Sequence, residues 1–424
     1  MPKERIVAGI DIGSSKICTV ISSVLEGKRS VIGVCSVPSR GLRRGVVVDI
    51  DEAVTAISQS LEGAERMAGC PVSSTFVSVN GSHVSSQNSR GVVAVSHPGE
   101  EIDAEDVSRV TEVAQAITLP TSREIIHVLP RDFIVDGQEG IKDPVGMSGI
   151  KLEVETNIIT GSSTSLRNLA KCVQQVGVSV PENGIIYSAL ADAEAVLTDT
   201  EKELGTVLIN IGGGTTSIII YLEGSPAFSS VLPIGGKHVT NDLAIGLRTS
   251  LENAESIKFR LSEIAKSLNG VPVPVDLTSS KKELRNEIDV SEFGLDFNTV
   301  PVKFLHDITR VRMEEIFELV NSEIKRSGFE GMLPAGAVLT GGGSLTYKSV
   351  EIAKNELKLP VREGVPTGVT GLIEEIGGPA SSTGVGLIIY GSGFSQSAKR
   401  SFSGKGKVRR FFGGIVDWFK SFLP

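Results

Sequence analysis

Two stretches of this chain end a strand on a polar residue and then turn on glycine, serine and threonine. The first reads Arg5-Ile-Val-Ala-Gly-Ile-Asp11-Ile-Gly13-Ser14-Ser15-Lys16-Ile-Cys-Thr-Val-Ile21. The second reads Gly205-Thr-Val-Leu-Ile-Asn210-Ile-Gly212-Gly213-Gly214-Thr215-Thr216-Ser-Ile-Ile-Ile-Tyr221. Such a turn presents successive backbone N–H groups, glycine lets an anion come close, and the hydroxyls add donors. Asp11, at the strand end, is placed to hold a divalent ion through water beside the phosphates. A third turn, Gly341-Gly342-Gly343-Ser344, follows the apolar run Ala337–Thr340 and precedes a helical pattern from Lys348 to Leu357. Strand, glycine turn and helix in that order form a nucleotide-binding arrangement. One such turn is weak evidence; two in matching halves, with a third beside them, predict a clamp on a polyphosphate chain.

The elements that must position these turns are also legible. Each of the first two turns lies between two apolar strands, and a third strand follows (Val31–Val37 and Ala227–Leu232). Asp11 and Asn210 hold the same place in the two copies, so the pattern predicts two halves of like fold facing each other. Helical periodicity covers Asp51–Met67, Leu166–Val176, Ala189–Leu197, Leu251–Leu268 and Phe304–Lys325. Short β-branched runs cover Thr75–Val79, Ile125–Val135 and Ala337–Thr340. The mixture is α/β. Ser86–Gly161 reads as an inserted subdomain, and the Gly/Ser/Lys/Arg-rich stretch Ser392–Lys407 as a flexible linker.

The linker leads to Val408–Pro424. On a helix, Val408, Phe411, Phe412, Ile415, Val416, Trp418, Phe419, Phe422 and Leu423 fall on one side, opposite Arg409, Arg410, Asp417, Lys420 and Ser421. Bulky aromatics under basic groups are the pattern of a helix lying in a membrane interface. Gly413 and Gly414 cost about 1 kcal/mol each in helix propensity, so this helix is expected to form on lipid. The net charge of −8 over 424 residues is uneven: residues 396–424 carry +6 and the remainder −14. The acidic body argues against general nucleic-acid binding, and the basic tail argues for an anionic lipid surface. The four cysteines, Cys18, Cys35, Cys70 and Cys172, are far apart and read as small buried hydrophobes in a reducing compartment. The five histidines show no paired metal spacing. No signal peptide is apparent, and no apolar run reaches the roughly 18 residues of a spanning helix, so a cytosolic body is expected.

The three turns, in this order and spacing, resemble the actin/Hsp70/sugar-kinase superfamily of ATP-binding proteins. Ile6–Ile21 is similar to its phosphate-1 motif, Val207–Tyr221 to phosphate-2 and Gly336–Ser349 to its adenosine motif; Ser188–Thr198 and Gly377–Gly391 resemble its two connecting helices. Within that superfamily the chain resembles the FtsA family of bacterial cell division proteins. Glu124–Gly149 looks like the FtsA-specific subdomain 1C, Thr200-Glu-Lys-Glu-Leu-Gly205 precedes phosphate-2 as in FtsA, and the basic tail resembles the FtsA membrane-targeting sequence. The resemblance implies an actin-like (ribonuclease H-like) two-domain ATPase fold. Its subdomains would be 1A (1–85 and 162–204), 1C (86–161), 2A (205–240 and 328–391) and 2B (241–327), then a linker (392–407) and a terminal helix (408–424).

Carried over residue by residue, Asp11 would position Mg2+, while Gly13, Ser14, Ser15 and Lys16 hold the phosphates of ATP. Gly213, Gly214, Thr215 and Thr216 would close from the second half beside Asn210; Gly342, Gly343 and Ser344 would border the adenosine. Glu255 and Lys258 sit where relatives contact ribose and base; they are also i, i+3 on one helix face. Two departures concern hydrolysis. Asn210 stands where many relatives have aspartate, and Tyr187 falls where hydrolytic relatives carry Glu or Gln. Both losses predict ATP binding with slow or no turnover. The family also implies head-to-tail polymerisation, tethering of FtsZ through its C-terminal peptide on 2B, with Lys303, Arg310 and Arg312 as basic candidates, and recruitment of later division proteins at the cytoplasmic face of the membrane. The alternatives weighed against this are a pilus-assembly platform of the same fold, a sugar or acetate kinase, for which no catalytic motif stands out, and an Hsp70-like chaperone, for which a following β-domain is wanting.

Overall fold

A computed structural model describes residues 4–96, 101–268 and 287–400. The chain opens with β1 (Arg5–Ile12), β2 (Lys16–Leu25) and β3 (Lys28–Pro38), an antiparallel meander, followed by the short pair β4 (Leu42–Arg43) and β5 (Val46–Val47). Next comes α1 (Ile50–Ala68), whose Asp49 cap accepts from the Glu52 N–H at 3.0 Å and which ends on the left-handed Gly69. Its face of Ala53, Ala56, Ile57, Leu61 and Ala64 is buried against the sheet. β6 (Phe76–Val79) then adds parallel to β1.

An insertion follows: β7 (Ser85–Ala94), α2 (Ala104–Gln115), β8 (Arg123–Val135), β9 (Gln138–Ile141) and β10 (Lys151–Ser162). It forms its own four-stranded sheet, β7-β10-β8-β9, with α2 covering a separate small core around Val110, Phe133 and Leu152. The chain returns through α3 (Ser163–Gln175), β11 (Ile185–Tyr187) and α4 (Ser188–Val196).

The second half repeats the plan. After α5 (Asp199–Leu204) come β12 (Thr206–Ile211), β13 (Thr216–Leu222) and β14 (Ser225–Leu232), then α6 (Gly236–Leu247), α7 (Leu251–Leu268), β15 (Glu287–Asp289), β16 (Thr299–Pro301) and α8 (Val302–Ser327). β17 (Ala337–Thr340), α9 (Ser349–Leu357), β18 (Val361–Glu363), β19 (Thr370–Gly371), α10 (Ile373–Ile376) and α11 (Ser382–Arg400) complete it. The two main sheets share one five-strand topology, to which β19 adds in the first, parallel to β3. In the first the order is β11-β6-β1-β2-β3-β19, and in the second β14-β13-β12-β17-β18. In each an antiparallel meander is extended by parallel strands on the side of its first member. Asp11 faces Cys18 across its hairpin and Asn210 faces Ser217 across the other, so the repeat read from sequence is a repeat of register.

α4 and α11 lie between the halves and carry the core of Leu190, Ala193, Val385 and Leu387. They cross very closely: a Cβ on Gly386 would fall 1.9 Å from the Ala191 carbonyl oxygen. α11 also corrects one boundary. A flexible linker is expected from Ser392, but the helix continues to Arg400. Ser392 is buried; its carbonyl accepts from Arg5 Nη2 at 2.9 Å and its hydroxyl from Arg29 Nε, which holds this part of the stretch to the body. The remaining linker residues and the expected membrane helix Val408–Pro424 lie outside the described residues.

Candidate nucleotide site

The three glycine turns meet in one cleft. A cavity of about 460 Å³ is lined by Asp11, Gly13, Ser14, Ser15 and Lys16 from the first turn, and by Asn210, Gly213 and Thr215 from the second. Gly342 and Gly343 from the third turn, and Glu255 and Lys258 from α7, complete the walls. The first two turns touch. A Cβ on Gly213 would come 2.6 Å from the Ser15 Cβ, so only glycine lets the halves approach this closely. Gly214 packs on Ser14 in the same way. Two residues expected in the site serve the scaffold instead. The Thr216 hydroxyl donates to the Ile234 carbonyl at 2.8 Å, and the Ser344 hydroxyl donates to the Gly341 carbonyl at 2.7 Å.

The Asp11 carboxylate is half-buried at the end of β1 and accepts a hydrogen bond from the Ser78 hydroxyl at 2.8 Å. Burial raises its pKa, against the pull of Ser78 and Lys16. One carboxylate with one oxygen engaged suits magnesium, which keeps several waters and takes further ligands from substrate phosphates. A bound cation would also offset the cost of burying this charge.

Asn210 has a different job from the one its position implies. Its Nδ2 donates to Asp192 Oδ2 at 2.5 Å and to Thr383 Oγ1 at 3.4 Å, and Thr383 donates to Asp192 Oδ1 at 2.7 Å. Its oxygen lies against Gly341, where a Cβ would come within 2.2 Å. Asn210 therefore ties α4, α11 and the third turn together. The amide is what allows Asp192 to sit there, because an aspartate at 210 would face it with like charge. Asp192 is buried, and burial raises its pKa to about 7, with the Asp11 charge adding to the rise. Tyr187 turns away from the cleft. Its hydroxyl donates toward the Ser230 carbonyl at 3.2 Å, and Ser188 lines the cavity in its place.

At the α7 wall, Lys258 Nζ bonds Glu255 Oε2 at 2.7 Å and Thr240 Oγ1 at 2.9 Å. The pair is aimed into the cleft, and neither partner is simply a solvated ion pair. Sequence reasoning missed Asn80, which crosses the cleft: its Nδ2 donates to Thr215 Oγ1 at 3.2 Å and its Oδ1 accepts from the Ser217 hydroxyl at 2.9 Å. Lys237, Phe259 and Asp192 were missed as well. The signals were faint: a Gly-Gly pair after a strand for Lys237, and a lone acid inside the apolar run Ser188–Val196 for Asp192.

The three basic candidates for peptide binding are all on α8. Lys303 is exposed, Arg310 pairs with Glu314 at 2.6 Å, and Arg312 holds Asp242 of α6 at 2.6 and 3.0 Å.

Comparison with known proteins decides the family. Residues 207–386 match the model "Cell division protein FtsA", and residues 81–160 match "SHS2 domain inserted in FTSA". Relatives named cell division protein FtsA are 40% identical over 392 residues in Pseudomonas aeruginosa, spanning 91% of this chain and 89% of that protein. The relative in Escherichia coli is 32% identical over 425 residues, spanning 98% and 96%. The chain belongs to the FtsA family. The inserted sheet is thus the SHS2 domain of FtsA proteins, and the fold is actin-like. A PilM-PilN type IV pilus biogenesis complex aligns with a TM-score of 0.64 at 15% identity, over 91% of this chain and 98% of that one. MreB5 of Spiroplasma citri bound to ADP aligns at 0.52 with 13% identity, over 94% and 99%. FtsA membership sets aside the pilus-platform, kinase and chaperone readings and implies work at the division site. Among the described residues no helix is long and apolar enough to cross a membrane.

Proposed function

We propose that this FtsA-family chain binds ATP with Mg2+ between its halves, polymerises head to tail, and tethers FtsZ filaments to the cytoplasmic membrane. The observation that carries the reading is the cleft where two phosphate-type turns close on each other and a third borders them. Asp11 would hold magnesium through water, and the backbone of Gly13–Lys16 and Gly213–Thr215 would cradle the phosphates. Lys258 and Glu255 would meet the ribose and base. When bound, the metal supplies charge neutralisation to the phosphates. With Asn210 tied to Asp192 and Tyr187 turned inward, neither supplies a base to activate water, so turnover is slow or absent.

Nucleotide would fix the angle between the halves and favour a heterologous contact that does not close into a ring. The helix Val408–Pro424 would bind anionic lipid weakly alone and firmly when many act on one filament. An acidic FtsZ tail peptide would dock on the α6–α8 surface near Lys303, Arg310 and Arg312, leaving the SHS2 domain for filament contacts and later division proteins. Pelleting with anionic liposomes and an FtsZ tail peptide tests this. With ATP the full chain should carry the peptide into the pellet, and truncation after Lys407 or Phe412→Glu should leave both in the supernatant. Unchanged pelleting of these variants would refute the anchor.

A further inference from the structure

Lys237 belongs to none of the three turns, yet it spans the cleft. It is the second residue of α6, and that helix start is bolted to the second turn: the Gly236 N–H donates to the Gly212 carbonyl at 2.9 Å and the Lys237 N–H to the Gly213 carbonyl at 2.8 Å. Its side chain then leaves its own half. Nζ donates to the backbone carbonyl of Ser14, on the first turn, at 2.7 Å. Ser14 is otherwise fixed; it packs on Gly214, and its hydroxyl accepts from the Gly45 N–H at 2.7 Å.

The contact leaves an ammonium facing a neutral oxygen inside a cavity shaped by anion-binding turns. Lys258, the other ammonium that the second half brings to this cleft, is already committed to Glu255. Among the described residues no carboxylate pairs with Lys237. An ammonium has three donors, and a phosphate oxygen adds an attraction of opposite charges that a neutral carbonyl lacks. A polyphosphate chain lying on the first turn would therefore compete for it.

We propose that Lys237 reads the terminal phosphate of a nucleoside triphosphate, exchanging its bond to Ser14 for one to that phosphate. The inference rests on the cleft being a nucleotide site. It gives that site a specificity residue: the second half grips the anion itself when the third phosphate is present, and grips only the turn of the first half when it is absent. Triphosphate and diphosphate would thereby couple the halves differently through one side chain.

The test is equilibrium binding of ATP and of ADP, each with magnesium, to the full chain, to Lys237→Met and to Lys237→Arg. Lys237→Met should lose ATP affinity by about tenfold or more, the worth of a charged hydrogen bond, and ADP affinity by less than about threefold. Lys237→Arg should recover most of the ATP affinity. Equal thermal melts without nucleotide would show that the fold is intact, as expected for an exposed side chain. An unchanged ATP affinity in Lys237→Met, or equal losses for ATP and ADP, would overturn the role of Lys237 and leave the nucleotide site standing. Failure of the unaltered chain to bind either nucleotide would remove both.

Discussion

Replacing Asp192 by asparagine should make this protein more tolerant of alkaline pH. Asp192 is fully buried at the junction of α4, β12 and α11, and burial lifts its pKa from 3.8 to about 7. In the unfolded chain it ionises near its ordinary value. A raised folded pKa means that the native state binds more protons than the unfolded one between these values. The stabilisation is then complete below about pH 4 and is lost as pH rises through about 7. Each unit of displacement is worth about 1.4 kcal/mol, and integration from pH 5.5 to 7.5 gives a loss of about 2 kcal/mol from this one group. Asparagine carries no such dependence. Its oxygen can accept from Asn210, while the Thr383 hydroxyl rotates to accept from its amide. Urea unfolding of both proteins at pH 5.5 and 7.5 measures the difference of differences, in which other titrating groups cancel. Asp192→Asn should gain about 2 kcal/mol on the wild type across that interval. Parallel changes in the two proteins would refute the reasoning, since they would place the Asp192 charge in a solvated setting.

Three further outcomes follow from the site. Gly213→Val puts carbon where Ser15 already lies, 2.6 Å away at Cβ, so the turns must part; ATP affinity by fluorescence titration should fall at least about tenfold while the urea midpoint moves little. Lys258→Ala leaves Glu255 facing the cleft without its ammonium, held by the Thr240 hydroxyl, and adenosine-nucleotide affinity should fall by roughly 1–3 kcal/mol in calorimetry, with inorganic triphosphate unaffected. Arg312→Glu breaks the two-pronged bond to Asp242 and reverses the local charge; binding of an acidic FtsZ tail peptide should weaken about tenfold or more by anisotropy, with ATP affinity unchanged.

The halves, the three turns and most helices were legible because their signals are local. Strand alternation and glycine turns depend on neighbours a few residues apart, and the repeat in the sequence puts Asp11 and Asn210 in equivalent places. What the residues at those places do was less legible. Asn210 reads as a weakened metal ligand in sequence, yet its amide serves a buried acid 18 residues away in the chain and a threonine 173 away. α6 went unread because it starts on Gly235-Gly236 and is capped by the ring of His238, whose Nδ1 accepts from the Gly235 N–H at 3.1 Å, rather than by a serine or aspartate. Ser392 reads as a loop residue in sequence because the side chains that hold it, Arg5 and Arg29, come from the far end of the chain.

That last pair fixes a load path. Arg5 opens β1 and Arg29 lies on β3, so residue 392 is fastened to the first half's sheet. Tension applied beyond Arg400 therefore enters the body along α11 and reaches β1 and α4 as shear across close-packed glycines, not as peeling of one edge. The second half meets the same helix at its start, where Thr340 and Ser382 share a hydrogen bond of 2.6 Å and Asn210 reaches Thr383 at 3.4 Å. If the proposed filament were pulled by its tails, the load would reach the first half at residue 392 before it reached the second.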